Sequence, residues 1–424
     1  MPSRPGRLAL PLACLLALIA APARADFQLS DGDTVVFLGD SITAEKTYGK
    51  VVENYTLLRF PDRKIRFINA GHGGDTAERC LKRLDRDVLD AGATVVIFAL
   101  GINDIGWGTK ADDEHRKLYL DSTRAIVERC KARGVRIYVC SAAITNETSD
   151  HGDTDYLQKM CDDGMAIARE LGEPTIDIQR SMRTIHRSVR AARARSPEKE
   201  EKDRPTMHAA DGVHLSELGG TAMGFAVLKG LGAPADVSAA TIDAADPTRS
   251  EGSNCRITDA ESRDGRVTFG RLDAGLPLNL GFLAGLRFHF IPIGDELNGY
   301  TLAVRNLPAG KYDVAVDGTT IGAWPADQLA RGVNIASATT NGLEPGGPWE
   351  AEAWILRQLT ESRNEIIDAG RNLPRYLPDR PDVAALRAQF DATARRLEDD
   401  QRALVRPRPF RFVVSSHVEQ PKQP

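Results

Sequence analysis

Residues 33–232 predict an α/β fold with a parallel sheet, and two observations carry that prediction. Short, continuous apolar runs rich in Val and Ile recur five times, and amphipathic segments of helical length separate them. The runs fall at 34–38, 65–69, 94–100, 136–140 and 175–178. A strand covered on both faces reads as an unbroken apolar run, so helices are expected on both sides of this sheet. The clearest helical segments are 76–89 and 112–133, the second stopped by Gly134. In such sheets ligands bind at the carboxyl ends of the strands, so chemistry is expected in the loops that follow the runs.

The pattern changes after Gly232-Ala233-Pro234. Segments 300–304 and 312–316 alternate apolar and polar residues, and 307–310 and Asp317-Gly318 are turn signals, so 233–345 reads as a small antiparallel β-rich unit. Two helices follow at 349–367 and 383–404, split by the Pro-rich stretch 374–381, giving a helical region over 346–424. The basic run 187–195 is followed at once by acids, as a solvated helix entering a surface loop would be.

Of the 424 residues, 42% are hydrophobic and 27% charged, with a net charge of −4, an ordinary globular composition with no excess of basic charge for nucleic acid. A polytopic membrane protein is excluded, because the long apolar run lies at the extreme N-terminus. There, Arg4 and Arg7 precede an apolar stretch over 8–21, and Ala23-Arg24-Ala25 offers a small-residue cleavage site. Residues 1–25 are therefore expected to be a signal peptide, cut after Ala25, which makes the protein secreted or periplasmic with no membrane span left. That cut removes three arginines and no acids, taking the charge from −4 to −7. Five cysteines remain in 26–424, an odd number without metal-like spacing, so inert core thiols with at most one or two disulfides are expected.

Four short blocks stand where the sheet rule places function. Gly39-Asp40-Ser41 follows the first run, and a serine at a tight strand-to-helix turn lies close to backbone N–H donors. Asn69-Ala-Gly-His-Gly-Gly74-Asp-Thr76 follows the second, and glycine there lets the backbone approach a ligand. Gly101-Ile-Asn103-Asp104 follows the third, and an Asn amide is a neutral donor suited to an oxyanion. Asp211-Gly-Val-His214 precedes the last helix of the α/β region; a histidine activates a serine hydroxyl, and a carboxylate three residues away fixes its tautomer. Singly, each block is equally a helix cap or a turn. Jointly they supply every role that serine acyl transfer needs.

In this order the blocks resemble the SGNH (GDSL-type) hydrolase family, over about residues 33–232. The resemblance implies a flavodoxin-like three-layer α/β/α sandwich over 26–232 and ester hydrolysis without metal or other cofactor. It implies Ser41 as nucleophile, His214 as base and then acid, and Asp211 as its orienting partner. The oxyanion hole would be the Ser41 N–H, the Gly74 N–H and the Asn103 amide. No G-x-S-x-G elbow is present, which separates the chain from lipase-type α/β-hydrolases. Gly39-Asp40 and Gly101-Ile-Asn103-Asp104 also lack the closely spaced D-x-H and G-N-H clusters of a two-metal phosphoesterase.

Export, the appended β-rich unit and Trp107, close enough to the Asn103 block to stack on a sugar, favour O-acetyl esters of carbohydrates as substrate. A lipid, aryl or thioester hydrolase of the same family is the alternative. A second alternative is a glycan- or protein-binding module using Tyr312, Trp324, Trp349 and Trp354, with weak or no esterase activity.

Overall fold

The computed structural model describes residues 27–145, 152–195, 204–281 and 289–418; the expected signal peptide lies outside them. Five strands, β1 (Thr34–Gly39), β2 (Arg66–Gly71), β3 (Val95–Ala99), β4 (Arg136–Cys140) and β5 (Thr175–Ile176), form one sheet in the order β2-β1-β3-β4-β5. Every pairing in it is parallel. The helices between them are α1 (Ser41–Ala44), α2 (Thr47–Arg59), α3 (Ala77–Leu84), α4 (Asp113–Ala132), α5 (Tyr156–Glu170), α6 (Ile178–Ala194) and α7 (Glu217–Gly230).

The unbroken apolar runs have the expected cause. Along β1, Val35 and Phe37 enter a core shared with α2, α6 and α7, whereas Val36 and Leu38 enter a second core with α3, α4 and α5. Strand β4 divides the same way, with Tyr138 and Cys140 on one side and Ile137 and Val139 on the other. Each such side chain, fully buried, contributes roughly 1.5–3 kcal/mol. The helix expected over 76–89 is shorter than the sequence suggests: α3 stops at Leu84 and a π-helical turn, Asp85–Leu89, follows. All five cysteines described are free, four of them buried, so no disulfide forms among them. Burial pushes their thiols above the ordinary value, in line with inert packing.

Beyond α7 lie β6 (Asp236–Asp243), β7 (Glu251–Ser253), β8 (Cys255–Arg263), β9 (Arg266–Asp273), β10 (Gly299–Arg305), β11 (Lys311–Val316), β12 (Thr319–Pro325) and β13 (Val333–Asn334). They are followed by α8 (Pro348–Tyr376), α9 (Val383–Leu404) and β14 (Phe410–Ser416). Two sheets result, β13-β10-β6-β7 and β12-β11-β14-β9-β8. Two expectations need correction here. The unit is not purely antiparallel, because β10 pairs in parallel with β6. Nor is the C-terminal region purely helical: β14 lies inside the second sheet, between β11 and β9.

The appended part shares a continuous core with the α2/α7 side of the first sheet. Buried Arg271 fastens its two sheets, bonding Asp273 at 2.9 Å, Ser238 at 2.8 Å and the Thr301 carbonyl at 3.0 Å. Trp349 is fully buried, its indole N–H on the Ala336 carbonyl at 2.9 Å, and Tyr312 is buried too. Neither is available to a glycan surface, which leaves half-buried Trp324 and exposed Trp354 of the four aromatics considered. No helix among the described residues is long and apolar enough to cross a membrane.

Candidate active site

Strand β1 delivers Ser41 through a turn that only glycine fits. A Cβ on Gly39 would lie 2.1 Å from Thr43 Oγ1 and 2.7 Å from the Ala99 carbonyl. Asp40 then caps α1, its Oδ1 accepting from the Ile42 N–H at 3.0 Å. Ser41 is the first residue of α1, so its N–H has no acceptor within the helix.

The partner histidine comes from a tight loop before α7. Gly212 at φ 71° turns the chain, and Ser216 both bonds the Met207 carbonyl at 3.0 Å and caps α7. His208 is buried and anchors this loop through Nε2 to the Ile144 carbonyl at 2.9 Å. Asp211 Oδ1 accepts from the Val213 and His214 N–H groups, both at 2.9 Å, and Oδ2 faces His214 Nδ1 at 2.6 Å. His214 Nε2 lies 2.9 Å from Ser41 Oγ, 173 residues away in sequence. With Nδ1–H donating to Asp211, Nε2 is left to accept from the serine hydroxyl. The hydrogen bond between them holds the Asp211 carboxyl down to about 2 and raises His214 above the ordinary imidazole value.

The other two blocks close around this pair. Gly74 adopts φ 74°, the left-handed region that favours glycine, with no side chain crowding it; conformation rather than space is the requirement. Asn103 Nδ2 donates to the Asp75 carbonyl at 3.1 Å and to Asp40 Oδ2 at 3.4 Å. Its Oδ1 accepts from the Trp107 indole N–H at 2.9 Å, which fixes which end of the amide points inward. Trp107 is 48% exposed and meets the His214 ring edge-on, with centroids 5.7 Å apart. Ser41, Gly74, Asn103, Asp211, His214 and Trp107 are thus gathered at one end of the sheet. Asn69 and Thr76 stand apart from them: Asn69 Nδ2 supports the Thr43 carbonyl at 2.6 Å, and Thr76 caps α3.

Sequence motifs assign no role to the groups beneath the site. Burial raises the carboxyls of Asp40 to about 6 and of Asp104 to about 7. Asp104 Oδ1 accepts from the Ala77 N–H at 2.9 Å, tying the end of β3 to the start of α3. Arg83 bonds Asp75 at 2.6 Å and the Gly39 carbonyl at 3.2 Å, linking the first two blocks. Asp40 and Asp104 lie inside the motifs; Arg83 carries no signal beyond its place on the inner face of α3. Among the described residues, no three His, Cys, Asp or Glu side chains gather as a metal-holding group.

Chemically, the site can deprotonate a hydroxyl and shelter an oxyanion. The model of the GDSL-like Lipase/Acylhydrolase family matches residues 37–222. The chain carries a GDSL-like acylhydrolase domain. That domain places the protein among the carboxylic ester hydrolases. Its fold extends to a solved structure described as a gut microbial diltiazem-metabolizing enzyme, at 22% identity and a TM-score of 0.75. This likeness spans 93% of the present chain and 100% of the other, so the acylhydrolase domain and its appended sheets and helices recur together as one fold. An acetylxylan esterase from Geobacillus stearothermophilus matches at 20% identity and a TM-score of 0.40, over 48% of this chain and 96% of its own. An α/β hydrolase from the metagenome of Lake Arreo, Spain, matches at 19% identity and a TM-score of 0.38, over 49% and 98%. No curated protein matches the chain.

Proposed function

We propose that the protein is an exported serine esterase working through an acyl-enzyme, and that its substrates are O-acetyl esters of carbohydrates. The observation that carries the mechanism is the 2.9 Å approach of Ser41 Oγ to His214 Nε2, with Asp211 behind it. His214 takes the hydroxyl proton as Oγ attacks the ester carbonyl, and Asp211 stabilises the imidazolium that forms. Negative charge gathers on the carbonyl oxygen, where the Ser41 N–H, the Gly74 N–H and the Asn103 amide donate to it. Collapse breaks the ester C–O bond, and His214 passes its proton to the leaving alkoxide. Water then repeats the sequence in reverse roles, releasing the acid and restoring Ser41.

Trp107 supports the carbohydrate reading. An exposed indole resting against the triad offers an apolar ring face to a sugar while its N–H stays engaged with Asn103. Hydrolysis of aryl acetate, butyrate and octanoate by residues 26–424, beside Ser41→Ala, tests both parts. Acetate-selective turnover that vanishes in Ser41→Ala is expected, with acetylated glycans as the next substrates. Preference for octanoate moves the assignment to longer acyl esters, and equal background rates in both proteins refute the serine mechanism for these esters.

A further inference from the structure

The turn that carries Ser41 is gripped from outside the acylhydrolase domain. After α1 the chain reaches Lys46, at φ 65°, a left-handed conformation that residues with a Cβ disfavour. Its ammonium is buried, pairs with the Asp368 carboxylate and donates to the Asn364 carbonyl at 3.3 Å, both on α8. Three residues further along the same face of α8, Arg371 donates to the Asn69 carbonyl at 3.1 Å. Asn69 in turn donates through Nδ2 to the Thr43 carbonyl, inside α1, at 2.6 Å. One helix face therefore holds the nucleophile turn twice: directly beyond its last residue, and through the end of β2. There is little slack between these points, since a Cβ on Gly71 would lie 2.3 Å from the Ala44 nitrogen.

We propose that Asp368 and Arg371 are positioning residues for the esterase reaction, holding α1 so that Ser41 Oγ stays within reach of His214 Nε2. Helix α8 is then part of the catalytic unit, although it lies more than 300 residues from Ser41 in sequence. This inference rests on Ser41 being the nucleophile. Without the Asp368 charge, the buried Lys46 ammonium loses its counter-ion and turns toward water. The left-handed residue relaxes with it and the serine shifts. A displacement near 1 Å is enough to cost up to about 10²-fold in rate.

A neighbouring ion pair separates positioning from mere docking. Lys50 on α2 bonds Glu361 on α8 at 2.7 Å, joining α8 to α2 without touching α1. The full chain and its Asp368→Asn, Asp368→Glu, Arg371→Gln, Glu361→Gln and Ser41→Ala variants are compared in kcat and KM on an aryl acetate. Labelling rate with a fluorophosphonate serine probe and Tm are read alongside. Asp368→Asn and Arg371→Gln are expected to lose about tenfold in kcat and in labelling rate, with KM within about twofold. Asp368→Glu should recover most of the loss, and Glu361→Gln should match the parent chain in kcat whatever its Tm. If Asp368→Asn and Glu361→Gln have equal kcat, the positioning role is overturned. Arg371→Gln, at an exposed residue, tests the second grip even if Asp368→Asn folds poorly. A parent chain that is neither active nor labelled overturns the Ser41 reading itself, and the positioning role with it.

Discussion

Asp211→Asn is the most informative single change in the proposed triad. The carboxylate makes three bonds, through Oδ1 to the N–H groups of Val213 and His214 at 2.9 Å and through Oδ2 to His214 Nδ1 at 2.6 Å. A carboxamide keeps the first two with its oxygen, so the loop stays in place. Its NH₂ then faces Nδ1, which must become the acceptor, and the imidazole proton moves to Nε2. That nitrogen lies 2.9 Å from Ser41 Oγ and can no longer take the serine proton. A loss on the order of 10⁴ in kcat follows, about 5 kcal/mol of transition-state stabilisation. The pH profile must move as well. In the proposed mechanism His214 works as the neutral base, so the rate should climb as pH rises through its pKa, which Asp211 raises in the parent protein. Removing the carboxylate charge shifts the acid limb to lower pH. Stopped assays of kcat/KM on an aryl acetate from pH 5 to pH 9, on both proteins, read the two effects separately. A loss under tenfold, or an acid limb that does not move, would refute this account of the triad.

Three further outcomes are expected. Asn103→Ala removes one of the proposed oxyanion donors and should lower kcat roughly 10²–10³-fold with KM little changed, in steady-state assays on the same ester. Gly71→Ala places a Cβ 2.3 Å from the Ala44 nitrogen and 2.6 Å from the Thr43 carbonyl carbon, both backbone, so stability should fall by roughly 1–3 kcal/mol in urea unfolding. Activity should be indifferent to EDTA, because nucleophile, base and oxyanion donors are all protein groups in the mechanism proposed; loss in EDTA restored by a divalent metal would contradict it.

The appended half ties the acylhydrolase domain into a larger folding unit. Its core is continuous with the α2/α7 side of the domain. Arg363 on α8 pairs with Glu53 on α2 at 2.6 Å, and both side chains are buried. Thr360 on α8 donates to Asn54 at 2.6 Å, also within the helix interface. Removing one partner of a buried pair leaves a charge without its counter-ion, so α8 is not a freely detachable tail.

What the sequence determined by itself is what short-range physics encodes. β4 coincides with its run of Val, Ile and Tyr, and α9 spans the helical segment from Val383 after the Pro-rich stretch to Leu404, because burial on two faces and helical periodicity are local signals. The pairing of Asp211 with His214 was legible for the same reason, since three residues and one glycine turn bring them together. Tertiary structure decided the rest. The parallel pairing of β10 with β6 and the insertion of β14 between β9 and β11 join strands far apart in the chain, which alternation along one strand does not specify. The direction of the Asn103 amide depends on the Trp107 N–H, and the hold on Ser41 depends on Asp368 and Arg371. Those residues bear no motif, because an ion pair or a carbonyl contact asks only for a charge at the right place, and only the folded chain puts it there.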